Sequence, residues 1–257
     1  MMFWFDGNCS GNLRSRKQNL LGNSLLALLL SSMSCLVGSP QELCGAPPRQ
    51  NRVYHPLNQR TPPGVAAYWN TINSQPVPGY YQPILVQLPS TGKVRFFTND
   101  TKSDQTLAAP TAVGVATGHS YRLQISNMPE FPGIELFPSL EILDRLHPPA
   151  RLANRFPIPV RFLEEEIDAA LRGQMVTKVV YLEQPQRASA MDLRSPDAVV
   201  TLANNENVLA EADHLGRPLV IIRLGARQPS PHRSNARFMG RSGPLRILNT
   251  SKEGAAP

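Results

Sequence analysis

FPIPVRFLEEEIDAALRGQMVTKVVYLE, residues Phe156 to Glu183, is the stretch whose reading decides the fold. It predicts strand, helix, strand. Ile158, Val160 and Phe162 alternate with Pro159 and Arg161, the period of a half-buried strand. Pro157 and Pro159 cannot donate ladder hydrogen bonds, so this strand belongs at a sheet edge. From Leu163 the period changes. Leu163, Ile167, Ala170 and Leu171 share one helical face. Glu164, Glu165 and Glu166 fill the first turn and Arg172 the last, as the helix dipole favours. Gly173 stands where a left-handed residue stops a helix. Val176, Val179, Val180, Tyr181 and Leu182 then restore β character. The glutamate triplet raises the thought of a calcium site. Consecutive helix positions point about 100° apart, however, and do not converge on one ion.

Outward from this stretch the same vocabulary continues in both directions. Upstream, PILVQL (Pro83–Leu88), the turn PSTG and KVRFFT (Lys93–Thr98) have the pattern of a hairpin. Asn99–Gln105 is a polar loop whose spacing rejects an EF-hand. Thr111–Ala116 and His119–Ser126 are further strands, with Gly118 as the turn between them. Tyr121, Leu123 and Ile125 face one way, Arg122 and Gln124 the other. Ile134–Leu143 is a strand interrupted by Pro138, which implies a bulge or two short strands meeting at a kink.

Downstream, Ala198–Leu202 is a short strand, and Asn205 can cap a helix over Glu206–Leu215. Val208, Leu209, Ala212 and Leu215 form its apolar stripe and Gly216 its end. Pro218–Leu224, apolar on both faces, is a central strand. The fold class is therefore α+β and β-dominated: a small sandwich-like or barrel-like sheet with two short helices, about 163–172 and 206–215, in one domain spanning 80–225.

The flanks read differently. The net charge is +7, but 17 basic and 17 acidic residues cancel within 39–225. The body thus has no excess from which to build a nucleic-acid face, and no specific nucleic-acid partner is expected. Residues 1–38 have the layout of an export signal: Arg14, Arg16 and Lys17, an apolar run Leu20–Leu30, then small residues at Ser32, Ser34, Gly38 and Ser39. An uncleaved membrane anchor is the alternative. Cleavage after Ser34 would leave Cys35 first and open to lipidation, or Cys35 could pair with Cys44; the sequence leaves these open. Residues 39–79 read as a Pro-rich linker, with Tyr68–Trp69 as its bulky aromatic pair. Residues 226–257 carry six basic residues against Glu253 and are expected to be a disordered basic tail, apart from an apolar trace at Leu245, Ile247 and Leu248. Its arginines, with Phe238, could touch nucleic acid or an anionic envelope polymer.

No nucleophile elbow, zinc helix, C-x-x-C pair, phosphate-cradling loop or dinucleotide fingerprint occurs in the sequence, so no catalytic residue, cofactor or metal is assigned. One cluster stands out: Glu141, Asp144, Arg145 and His147, at a strand end beside Pro148 and Pro149. Carboxylates, a histidine and a stiff backbone could form a general acid–base pair or half a metal site. The bland alternative is polar strand-end residues with His147 packed on Pro148.

The phrases GHSYRLQISN (Gly118–Asn127), PGIELFPSLEILDRLHPP (Pro132–Pro149), Pro157–Tyr181 and EADHLGRPLVIIRLG (Glu211–Gly225) together resemble an uncharacterised exported protein family of planctomycete bacteria. The resemblance covers 80–225 and implies export and a shared fold; it brings no catalytic residues. Up to Leu143 the strand spacing is also similar to prealbumin-like sandwiches. The expectation is an exported, non-catalytic envelope module, periplasmic, envelope-associated or extracellular. Its partner would be an envelope polymer or another exported protein, with a membrane only if the leader stays or Cys35 is lipidated. The alternative is a hydrolase-type enzyme or metal-binding protein using Glu141, Asp144 and His147.

Overall fold

Many strands that are neighbours in sequence end up on opposite walls of a two-sheet sandwich. The computed structural model of the chain describes residues 56–73, 77–97, 104–149, 152–184, 206–230, 236–239 and 242–248. The segment expected to be an export signal, all three cysteines, residues 99–101, residues 198–202 and Asn205 lie outside these described residues.

The elements are α1 (Val65–Asn73), β1 (Gln82–Gln87), β2 (Gly92–Phe96), β3 (Gln105–Ala109), β4 (Thr111–Val115), β5 (His119–Ser126) and β6 (Ser139–Ile142). They continue as β7 (Ile158–Arg161), α2 (Glu164–Leu171), β8 (Val176–Glu183), α3 (Val208–Leu215), β9 (Gly216–Leu224), α4 (Ala236–Met239) and β10 (Leu245–Ile247). One sheet has four strands in the order β10-β4-β1-β7, and the other six in the order β3-β2-β5-β6-β9-β8. The fold is thus α+β, β-dominated and sandwich-like; the two sheets do not close into a barrel.

The deciding stretch forms as its sequence predicts. β7 lies at an edge of the four-stranded sheet, parallel to β1, where its prolines leave no ladder unmade. Gly173 takes φ +85 at the end of α2. Leu163 N–H donates to Glu166 Oε2 at 2.9 Å, and Lys178 on β8 bonds the same carboxylate at 2.8 Å. Only half of the expected helical stripe is buried, however. Ile167 and Ala170 enter the core between the sheets, whereas Leu163 and Leu171 are 40% and 39% exposed. Strand, helix and strand also do not form one βαβ unit, because β7 and β8 belong to different sheets.

The expected hairpin of residues 83–88 and 93–98 is corrected. β1 pairs with β4 and β7, and β2 with β3 and β5. PSTG carries the chain from one sheet to the other. Ile84 and Val86 on one wall and Val94 and Phe96 on the other then bury against a single core. Gly118, at φ +76, does turn the chain between β4 and β5, but again across the sandwich. β3, in register with β2, lies where a polar loop was expected to run as far as Gln105. Pro138 splits its segment as foreseen: Leu136 bridges Ile125, and β6 begins at Ser139.

Both flanks contribute to the body. Within the segment read as a linker, α1 buries Ala66 and Ala67, and Leu57 is buried beside it. Tyr68 and Trp69 are not its docking face; they are 66% and 38% exposed. In the segment read as a disordered tail, β10 adds antiparallel to β4, and Ser242 bridges Ser120 on the opposite sheet. The Tyr121 hydroxyl fastens this strap: it accepts from Ala116 N–H and donates to the Pro244 carbonyl, both at 2.8 Å. The second expected helix is α3, shorter by two residues, with Asn207 rather than Asn205 as its cap; Asn207 Oδ1 accepts from Leu209 and Ala210 N–H at 3.1 and 3.2 Å.

α1 and α3 pack on the outer face of the six-stranded sheet over a second small core of Leu57, Ala66, Leu143, Leu209 and Ile221. Where α3 meets β9, Gly216 passes so close to β8 that a methyl group would strike the backbone of Leu182 and Glu183. Gly216→Ala is therefore expected to cost about 1–3 kcal/mol, read as a lower urea midpoint. An unchanged midpoint would mean that the two strands run further apart.

Candidate functional site

Glu141 is the first residue of the expected cluster to place, and it faces inward in an unexpected sense. On β6, Leu140 and Ile142 point into the main core, so Ser139 and Glu141 point to the other face of the sheet. That face is roofed by α1, and Glu141 is fully buried. Its Oε2 pairs with Arg223 Nη1 from β9. Its Oε1 accepts from the N–H of Gly64 and, at 3.5 Å, from that of Ala67. These two amides belong to the start of α1, whose dipole favours an anion there. Glu141 thus holds a helix to a sheet and neutralises a buried guanidinium. At the far end of α1, Asn70 Nδ2 donates to the Leu143 carbonyl.

Asp144 lies just past β6 and looks elsewhere. Its Oδ1 accepts from Arg145 N–H at 2.7 Å, and its Oδ2 is 3.3 Å from Arg217 Nε. Both side chains of this ion pair are about a third exposed (30% and 28%), so it adds little to stability. Arg217 also donates to the Arg145 carbonyl at 3.0 Å, and the Arg145 guanidinium sits 5.1 Å from the centre of the Tyr80 ring. Burial raises the Tyr80 pKa, against the pull of Arg145. Gln82 pins the following turn by accepting Leu146 N–H at 2.8 Å.

His147 is exposed. Partial loss of hydration, then the charges of Arg217 and Arg145, hold its pKa below the ordinary histidine value, with Asp144 opposing. The proton is therefore bound more readily by the unfolded chain. The contribution of His147 to stability is complete above the unfolded pKa and is lost as pH falls through the folded one. A proton-detected titration should place the His147 midpoint below 6.5. A midpoint above that value would put Asp144 in command of the ring.

The expected cluster is thus divided. Glu141 is locked beneath α1, Asp144 belongs to an arginine pair, and His147 stands in solvent. Among the described residues, no group of three or more His, Cys, Asp or Glu side chains is placed to hold a metal ion. Among the same residues, no helix is long and apolar enough to cross a membrane. Phe238 packs edge-on to Phe137 with ring centres 5.7 Å apart, and Arg122 and Arg227 lie over its ring at 4.7 and 5.6 Å.

The functional partner that sequence reading missed is Arg223. A signal was present. It is the only charged residue of Pro218–Gly225, as Glu141 is of Pro138–Leu143. A lone charge in an apolar strand needs a buried partner of opposite sign. Only Nη1 of Arg223 is used by Glu141; Nε and Nη2 are buried and meet no acceptor among the described residues.

Comparison with known proteins returned no matching family model, no matching curated protein and no matching solved structure.

Proposed function

We propose that this chain is an exported, non-catalytic structural or interaction module of the cell envelope. The observation that carries the reading is the commitment of Glu141. Its two oxygens are taken by Arg223, Gly64 and Ala67, in a place sealed by α1. A carboxylate so engaged, and fully buried beneath α1, is out of reach of a substrate. The rival reading, a hydrolase or metal-binding protein built on Glu141, Asp144 and His147, would require α1 to lift and Arg223 to be left unpaired. Support for export comes from the basic and apolar layout of residues 1–38 and from the resemblance over 80–225 to exported planctomycete proteins. A body with equal numbers of positive and negative residues, joined to a more basic C-terminal segment, suits contact with an anionic envelope polymer.

The test is fractionation of the full-length chain, tagged at its C-terminus, in a bacterial host. The tag is expected in the envelope, periplasmic or external fraction. Confinement to the cytosol would overturn the reading. Asp144→Asn and His147→Ala should leave that distribution and the fold unchanged.

A further inference from the structure

α1 turns its small residues inward and its large ones outward. Ala66 and Ala67 are buried against the sheet, and Asn70 donates to the Leu143 carbonyl. Val65, Tyr68, Trp69 and Ile72 occupy the opposite face at i, i+3, i+4 and i+7, the stripe that a helix ordinarily buries. Here they are 38%, 66%, 38% and 64% exposed. α1 is pinned in this orientation. Glu141 accepts from the Gly64 and Ala67 amides, and Gly118 passes so close to Thr71 that a Cβ on it would strike the Thr71 methyl group. No residue of α1 is charged. The Thr71 hydroxyl donates to the Tyr68 carbonyl at 2.7 Å, so an apolar surface laid along the stripe leaves that hydroxyl satisfied.

We propose that the stripe of Val65, Tyr68, Trp69 and Ile72 is a membrane-docking face, which lays α1 into the headgroup boundary of a lipid bilayer. Its chemistry chooses lipid as the occupant. The face is uncharged, so it offers an anionic polymer nothing to pair with, and it enters a lipid interface without stripping water from a charge. Its two aromatics join an apolar body to a polar tip, the form enriched where acyl chains meet headgroups. Its size argues against a second copy. A nine-residue helix is about 14 Å long, and one stripe of it falls well below the about 800 Å² that each copy gives a stable dimer. The connectivity agrees with lipid. The chain enters the body at Pro56, just ahead of α1, from the segment read as an export leader with the apolar run Leu20–Leu30. A leader that stays in the bilayer, or a lipid on Cys35, ties α1 to the surface by less chain than any other helix or strand of the body. One stripe alone binds lipid weakly, and a tether upstream makes that contact intramolecular. A lipid partner of this kind rests on the envelope reading, but its test is independent of export.

The chain has two tryptophans, Trp4 and Trp69, so Trp4→Phe in the full-length chain makes Trp69 the sole indole reporter. Its emission is followed with phosphatidylcholine vesicles, with vesicles that also contain phosphatidylglycerol, and with vesicles whose brominated acyl chains act as quencher. Emission should move to shorter wavelength with both lipid compositions, and the brominated chains should quench it. Adding Tyr68→Ser and Ile72→Ser, at positions exposed enough to leave the fold intact, should abolish both responses. An unchanged Trp69 spectrum would overturn the proposal; if the chain still sediments with the vesicles, that binding belongs to the leader. A shift with phosphatidylglycerol alone would also overturn it, by assigning the contact to the basic ends. So would a shift that grows with protein concentration in the absence of lipid, which would give the face to a second copy, or a lipid response that survives both serines. The Trp4→Phe spectra decide the matter even if the serine variant does not fold. A chain confined to the cytosol whose Trp69 still enters vesicles would overturn export alone.

Discussion

Glu141→Leu is expected to lower the stability of the protein by about 3–5 kcal/mol. The substitution removes one member of a buried ion pair and leaves the Arg223 guanidinium charged with nothing opposite it. It also deprives the Gly64 and Ala67 amides of their acceptor at the start of α1. The double variant Glu141→Leu/Arg223→Met should recover most of the loss, because a well-packed apolar pair often replaces a buried ion pair at little cost. Urea unfolding of the two single variants and the double variant gives the coupling directly. A Glu141→Leu loss of less than about 1 kcal/mol, additive with that of Arg223→Met, would show that the two side chains meet water.

Phe162→Ala should cost a similar amount, about 3–5 kcal/mol. Phe162 is 1% exposed and lies between β7 and α2. Its N–H extends the pairing of β7 by donating to the Gln87 carbonyl at 3.0 Å. Its ring belongs to the core that the two sheets share. The adjacent Leu163 is a control within the same turn: at 40% exposure, Leu163→Ala should change stability by less than about 1 kcal/mol. Denaturant midpoints compare the two. Equal effects would mean that residues 162–163 do not mark the boundary between core and surface.

What could be read in the sequence was local. The β7–α2–β8 stretch was legible because period, proline, charge and glycine all act within a few residues. Pairing between strands was not, since PSTG and Gly118 turn the chain whether the next strand returns beside its predecessor or crosses to the facing sheet. Only the shared burial of Ile84, Val86, Val94 and Phe96 decides between these. α1 was hidden by side-chain size. Its buried face is made of Ala66 and Ala67, while its large residues Tyr68 and Ile72 are 66% and 64% exposed. The prolines before it, Pro62 and Pro63, suggest a linker yet are tolerated at a helix start.

The cap of α3 shows the same limit. Asn204, Asn205 and Asn207 are chemically equal candidates. Asn207 is the cap in a place where its Nδ2 also donates to the Leu57 carbonyl, a contact 150 residues away in sequence. For the site, the sequence brought together Glu141, Asp144 and His147 because they are close along the chain. Alternation along β6 sends Glu141 under α1, while Asp144 and His147 lie past the end of the strand, where Asp144 meets Arg217 and His147 is exposed. Leu245 and Ile247, noticed as apolar within a basic segment, were the visible trace of β10.

Glu141 is the fastening of α1 rather than a reagent. Amide hydrogen exchange in Glu141→Leu/Arg223→Met, the variant expected to keep global stability, tests this directly. The Gly64 and Ala67 amides should exchange about a hundredfold faster than in the native chain, as expected for losing hydrogen bonds to a charged group, while the Leu123 amide in the core keeps its rate. Unchanged exchange at Gly64 and Ala67, or equal acceleration at all three amides, would contradict it.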